Sequence, residues 1–242
     1  MKILVVNPNT TESMTRKIGA AAMAAAASGT DIIACNPRHG PESIEGYYDE
    51  AFSIPGLIGE IQKHPEADAI VLACFDDSGL DAARCIGPAP VVGIGEAAFH
   101  MASLISVRFG VVTTLNRSVP AIEHNLMRYG LAGRCAKVRA SEVPVLELED
   151  PRSGARARIS QEISACILED KAEAIVLGCA GMADLAQSLS AEHGVPVLDG
   201  VSCAVKLAES LTALGLTTSS AGGYARPRAK LYKGMFAPYA PT

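Results

Sequence analysis

Ala67-Asp68-Ala69-Ile70-Val71-Leu72-Ala73-Cys74 returns later in the chain as Ala172-Glu173-Ala174-Ile175-Val176-Leu177-Gly178-Cys179, a shift of 179 − 74 = 105 positions with six of the eight residues unchanged. Each copy is a short apolar run, partly β-branched, that ends on a cysteine. Small and polar residues follow, and then a helix-like stretch, residues 80–85 after the first copy and 185–192 after the second. A buried parallel strand leading into a helix gives this pattern. Open α/β sheets bind their ligands at the carboxyl ends of such strands. The repeat therefore sets two thiols at equivalent points of two similar halves.

Other matches fall in register with the first. Ile3–Val6, closed by Asn7-Pro8-Asn9, answers to Phe109–Thr113, with Val5-Val6 on Val111-Val112, a shift of 111 − 5 = 106. Pro90-Val91 falls on Pro196-Val197 and Asp31–Ala34 near Lys137–Ala140. Four strand positions recurring in one order are the mark of an internal repeat. The expected fold is α/β: two pseudo-symmetric lobes, each with a four-stranded, mainly parallel sheet flanked by helices, and an active site in the cleft between them. The expected division sets residues 1–97 with 205–242 in the first lobe and 98–204 in the second.

Helices are expected over Thr11–Ala27, Ile54–His64, Glu96–Ser106, Ser118–Tyr129, Arg156–Asp170, Leu185–Glu192 and Ser202–Ala213. Asn9, three residues before Glu12, is a candidate cap for the first of them. The segment 36–49 lacks periodicity and is long for a connecting loop, which points to function or to a subunit contact. The tail 224–242 reads as a surface arm or a subunit contact.

With 242 residues, 49% of them apolar and 19% charged, the chain can bury an ample core. A formal net charge of −5 gives no reason to expect nucleic acid or an anionic membrane as partner. The seven cysteines form no CxxC pair, and they read as reduced thiols in a cytoplasmic protein. No apolar run approaches the ~20 residues of a membrane span, and Met1–Val6 reads as a first strand.

Cys74 and Cys179 are the candidate catalytic residues. Lone cysteines are usually small buried hydrophobes, and Cys35, Cys85, Cys135, Cys166 and Cys203 are read that way. The repeated pair differs because both members end a strand and precede a helix, where the helix dipole is expected to lower a thiol pKa from about 8.5. Lobes that face each other would bring the sulfurs to opposite sides of one cleft. Inverting a stereocentre needs such a pair, a base on one face and an acid on the other.

Asp76-Asp77 could suggest a metal, but the preferred reading is capping of the helix that follows. The backbone after each cysteine, Phe75-Asp76 and Ala180-Gly181, can hold an anionic oxygen. Asn9 and Thr114 end strands that should border the cleft, as do Asn7 and Thr113, with turn chemistry preferred for Asn7. Gly93-Ile94-Gly95-Glu96-Ala97-Ala98 matches G-x-G-x-x-A, but no acid closes the next strand, so a tight strand–helix turn is preferred to a dinucleotide site. The five histidines show no HxH or HExxH spacing, and no metal is expected.

Asn7-Pro8-Asn9-Thr10, Ala73-Cys74-Phe75-Asp76-Asp77-Ser78-Gly79-Leu80 and Leu177-Gly178-Cys179-Ala180-Gly181-Met182 resemble the aspartate/glutamate racemase superfamily. Ser43-Ile44-Glu45-Gly46, Val111–Thr114 and Val197–Gly200 bring the chain nearest to its hydantoin and allantoin racemase branch. The likeness spans essentially the whole chain. It implies Cys74 and Cys179 as the acid/base pair, no cofactor, and substrate contacts from Asn9, Phe75, Asp76, Thr113, Thr114, Ala180 and Gly181. It also implies a small-molecule substrate, a 5-substituted hydantoin or allantoin, and a homo-oligomer. Relatives that decarboxylate arylmalonates keep one such cysteine, so two imply racemisation. An acidic amino-acid racemase or maleate isomerase on the same scaffold is the alternative enzyme, and a small-ligand binding module the alternative without catalysis.

Overall fold

The computed structural model describes residues 1–150 and 152–241. Two four-stranded sheets carry the chain, both wholly parallel. The first comprises β1 (Lys2–Val6), β2 (Asp31–Cys35), β3 (Ala69–Leu72) and β4 (Val91–Gly93) in the order β2-β1-β3-β4. The second comprises β5 (Phe109–Thr113), β6 (Cys135–Ala140), β7 (Ala174–Gly178) and β8 (Val197–Asp199) in the order β6-β5-β7-β8. The two orders are the same order, as the repeat predicts.

Among the described residues eight α-helices alternate with these strands: α1 (Glu12–Ala25), α2 (Tyr47–Gln62), α3 (Leu80–Arg84), α4 (Ile94–Ile105), α5 (Val119–Arg128), α6 (Ala155–Leu168), α7 (Ala186–His193) and α8 (Gly200–Ala213). Successive strand residues face opposite ways, and both faces are covered. Ile3, Val5, Val71, Val111 and Val176 join a central core, whereas Leu4, Val6, Ile70 and Leu72 pack with Leu57 and Ile61 of α2. Val112, Ile175 and Leu177 pack in the same way with Ile159 and Ile163 of α6. This explains why the strand sequences are continuously apolar rather than alternating.

The central core runs through both halves. Helices α4 and α8 pack on each other, α4 also against β7 and α8 against β3, so each reaches across to the other copy's sheet. The strand order reverses between the inner strands of each sheet, β1 and β3 in one, β5 and β7 in the other. A crevice at the carboxyl ends is expected at such a switch point.

Three local expectations are corrected. Helix α2 begins at Tyr47, seven residues before the expected start, with Pro55 in its interior. Proline usually opens helices, so the sequence points to a start beside it. The segment without regular structure shrinks to residues 36–46 accordingly. Asn9 does not cap α1 as a partner of Glu12; Thr11 holds the cap position, and Asn9 Oδ1 accepts the Thr11 N–H at 3.0 Å. The acidic pair after Cys74 does not cap α3, which starts behind Gly79 in the left-handed region. Asp77 caps α4 instead. Its carboxylate accepts the N–H groups of Gly95 at 3.1 Å and Glu96 at 2.8 Å.

The Asp77 contact also accounts for the G-x-G-x-x-A match. A Cβ on Gly95 would collide with the Phe75 carbonyl and lie 2.9 Å from Asp77 Oδ2, and one on Gly93 would collide with Asp77 as well. Both glycines serve the close passage of the Cys74 loop over the start of α4, a tight strand–helix turn. The tail lies on the surface of the first sheet's helices: the Tyr224 hydroxyl donates to Asp81 of α3 at 3.2 Å and accepts from Arg84, while Tyr239 rests against Gly59 of α2. Among the described residues, no helix is long and apolar enough to cross a membrane.

Candidate active site

The carboxyl ends of β1, β3, β5 and β7 meet at one cavity, and Cys74 and Cys179 both line it. Asn9, Phe75, Asp76, Thr113, Thr114 and Ala180 line it too. Gly181 does not; its N–H is directed at the Cys179 sulfur instead. The Asp76 N–H approaches the Cys74 sulfur in the same manner. In each copy, then, the amide two residues beyond the cysteine serves the thiol.

The polar floor is largely self-satisfied. Asn7, 1% exposed, donates from Nδ2 to Asn9 Oδ1 at 2.8 Å and to Thr15 Oγ1 at 2.9 Å, which is turn chemistry. Asn9 Nδ2 faces Met14 Sδ at 3.3 Å on the cavity wall. The Thr113 hydroxyl donates to the Gly178 carbonyl at 2.9 Å and braces β5 to β7. The Thr114 hydroxyl has no partner among the described residues and is the free polar group of that strand end.

The thiols correct one expectation. Neither has a lowered pKa. Burial pushes Cys74 far above its ordinary value, with the nearby Asp76 carboxylate adding to the rise and hydrogen bonds from Ser78 and the Asp76 amide opposing it. Burial likewise pushes Cys179 up to about 11, although the Gly181 N–H and Lys17 pull it down. The physical reason is local. No α-helix begins at either sulfur: α3 starts six residues after Cys74, and Cys179 is followed by a short 3-10 helix, Ala180–Leu185. Desolvation then dominates over any dipole. The thiols are also unequal: Asp76 raises both, but Cys179 alone has a lysine, Lys17, favouring its charged form.

Asp76 and Asp77 are themselves pushed up to about 7 by burial, with Glu50 adding to the rise for Asp76. Asp77 is opposed in this by three donors, the two α4 amides and the Tyr129 hydroxyl at 2.8 Å.

Several residues that position the site escaped the sequence reading. Asn125 Nδ2 on α5 donates to the Asp76 carbonyl at 2.8 Å, and Tyr129 holds Asp77 just behind it. Both come from the second half of the chain and fix a loop of the first. Lys17 on α1 answers from the first half, pairing with Asp184 at 2.9 Å in the segment after Cys179. Asn125 left one visible sign: it lies on the same helix face as the buried Ile122 and Leu126, a polar residue in an apolar stripe.

Two loops roof the cavity, with Ile44 from the first half and Val145 from the second on its wall. They are tied together by the Val145 N–H, which donates to Glu45 Oε1 at 2.9 Å. The space enclosed is about 40 Å³, room for about one water. Among the described residues, no Lys, Arg or His lines it.

Comparison with known proteins agrees with this architecture. The family model described as Asp/Glu/Hydantoin racemase matches residues 3–208. A hydantoin racemase of Pseudomonas sp. (strain NS671) is 48% identical over 237 residues, covering 97% of this chain and 95% of that protein. The solved structure of an allantoin racemase from Klebsiella pneumoniae superposes with a TM-score of 0.97 at 48% identity, covering 100% of both chains. An allantoin racemase from Pseudomonas fluorescens gives 0.94 at 43% identity, over 97% of this chain and 100% of its own. With the family model spanning most of its length and both cysteine loops inside the match, the chain belongs to the Asp/Glu/hydantoin racemase family and is an isomerase of the racemase class.

Proposed function

We propose that the chain racemises 5-substituted hydantoins, allantoin among them, by passing a proton between Cys74 and Cys179 through C5 of the ring. The observation that carries this reading is that the two thiols, one from each copy of the repeat, line one cavity. One sulfur, as thiolate, takes the C5 proton, and the C5–H pair of electrons moves into the adjacent carbonyl as an enolate. The other sulfur, as thiol, returns a proton to the opposite face. Each turnover leaves the thiol and thiolate exchanged, so the next substrate of the opposite hand meets the matching state.

Cys179, raised less than Cys74 and with Lys17 favouring its charged form, is the better thiolate, and Cys74 is the better resting acid. The Phe75 and Ala180 amides, which have no acceptor among the described residues, are left to hold the enolate oxygen, an effect worth several kcal/mol (roughly 3–4 per donor) in comparable sites. Asn9 Nδ2 and the Thr114 hydroxyl, both on the cavity wall, are assigned to the ring amides and carbonyls, which enter once the Ile44 and Val145 loops part.

Charge distinguishes the candidate substrates. A dicarboxylate such as aspartate or maleate would enter a cavity without a cationic side chain and beside Asp76, with its charges unpaired. A neutral ring avoids that cost. We assign lobes 1–97 with 205–242 and 98–204, a division supported by α8 packing on β3. Reduced thiols throughout support a cytoplasmic setting. The exposed Tyr47, Tyr48 and Phe52 at the start of α2 support a homo-oligomer, to be checked by light scattering.

The test is racemisation of single hydantoin enantiomers, allantoin included, in deuterated water, with L-aspartate and maleate alongside. Loss of optical rotation should accompany deuterium uptake at C5, and Cys74→Ser and Cys179→Ser should each abolish net racemisation. Full activity in both variants would end the two-thiol assignment. Turnover of aspartate in place of hydantoins would end the substrate assignment.

A further inference from the structure

Behind the β1 turn, three side chains of metal-ligand type come together without any motif to announce them. Cys35 ends β2, Glu60 lies in the last turn of α2, and His64 follows that helix by two residues. One ligand atom from each lies within 4.8 Å of the other two. We propose that Cys35, Glu60 and His64 form a binding site for a single zinc-class divalent cation, separate from the thiols of the cavity.

The donor set argues for this class. A thiolate with an imidazole suits zinc and its neighbours rather than calcium or magnesium, which prefer oxygen alone. Three protein ligands with a fourth position open is an established zinc arrangement. Bonds of about 2.0–2.3 Å in a tetrahedron place ligand atoms roughly 3.3–3.8 Å apart, so the three side chains need to draw in by about 1 Å. His64 is brought back towards Glu60 by a turn at the end of α2, its N–H donating to the Ile61 carbonyl at 3.1 Å.

The surroundings fit a metal as well. His64 Nδ1 lies 3.2 Å from Glu66 Oε1, which leaves Nε2 for the metal and supplies the carboxylate that commonly orients a ligating imidazole. Glu60 is 8% exposed, and its only partner among the described residues is the Lys63 ammonium, 2.6 Å from Oε1. The Lys63 side chain is 61% exposed, so it can leave for solvent when a stronger cation arrives. Glu60 and Lys63 also line the open groove between α2 and the tail, which gives the ion a way in.

A cation here would join the end of β2 to the end of α2. It would close the β2–α2 unit, whose connecting segment carries Ile44 to the cavity. On ligation the Cys35 thiol gives its proton to solvent; nothing is oxidised or reduced.

Cobalt(II) is the probe, titrated into the full chain with its thiols reduced. The expected result is one equivalent bound, with a thiolate-to-cobalt charge-transfer band and tetrahedral d–d bands. The bands should persist in the Cys74→Ser/Cys179→Ser double variant and vanish in Cys35→Ser. His64→Ala should weaken binding at least tenfold, while Lys63→Ala, which frees Glu60, should tighten it. Circular dichroism of Cys35→Ser confirms that the variant is folded. The proposal is overturned if wild type shows no such bands, if they survive Cys35→Ser, or if they disappear with the cavity thiols.

Discussion

Replacing Tyr129 by Phe removes one oxygen and tests the architecture of the site. The hydroxyl donates to Asp77 Oδ2 at 2.8 Å, beside the two α4 amides that share that carboxylate. The ring would keep its place, 6.4 Å from Phe99 and 5.6 Å beneath the Arg128 guanidinium, so little packing is lost. What goes is one hydrogen bond to a buried acidic group. Bonds of this kind are worth about 1.5–3 kcal/mol, and about 2 kcal/mol corresponds to a fall in Tm of roughly 4–8 °C for a chain this size.

The assay is denaturant unfolding of wild type, Tyr129→Phe, Asp77→Asn and the double variant. The two sites touch, so a coupling energy of about 1 kcal/mol or more is expected in the cycle. The pH dependence supplies a second check. Asp77 is pushed up from 3.8 to about 7, so between those values the native chain holds a proton that the unfolded chain has released. Its stabilising contribution is complete below 3.8 and is lost as pH rises through 7. Relative to Asp77→Asn, wild type should therefore lose stability across that window. A Tyr129→Phe loss under about 0.5 kcal/mol, zero coupling, or a relative gain of stability with pH would refute the argument.

Further outcomes follow from the same geometry. Asp76→Asn removes a charge that raises both thiols, so the alkaline limb of the pH–rate profile should move to lower pH; an unmoved or upward-shifted limb would contradict the electrostatics. Glu45→Ala cuts the tie to Val145, so substrate entry and product release should quicken while hydrolytically sensitive or solvent-exchange side reactions rise, read as KM and kcat changing together with altered deuterium washout. Gly95→Ala forces a Cβ against the Phe75 carbonyl and should cost about 1–3 kcal/mol of stability, with kcat falling because the Cys74 loop must move.

The repeat made the paired sheets and the meeting of Cys74 with Cys179 legible, because a duplication in register constrains the whole backbone from a few strands. The thiol electrostatics were not legible. A cysteine before a helix-like sequence suggests a dipole, but Gly79 delays α3, and burial decides the sign. Asp77 was read as a cap and is one, yet for a helix seventeen residues downstream, since capping partners are chosen by space. Ile44 and Glu45 lay in a segment marked only as function or subunit contact, and Val145 carried no signal; the closure of the two loops gives all three their place. The start of α2 was missed because Pro55 sits where a helix usually begins.

The crossed bracing has an evolutionary consequence. Asn125 and Tyr129 of the later copy hold the loop of Cys74, and Lys17 of the earlier copy holds the segment after Cys179. Neither half braces its own cysteine loop, so an ancestor of single length would have needed to pair with its twin to hold either thiol in place. Fusion of two such genes would have freed the twins to diverge, and the unequal acidity of the present thiols is the kind of asymmetry that only a fused pair can inherit.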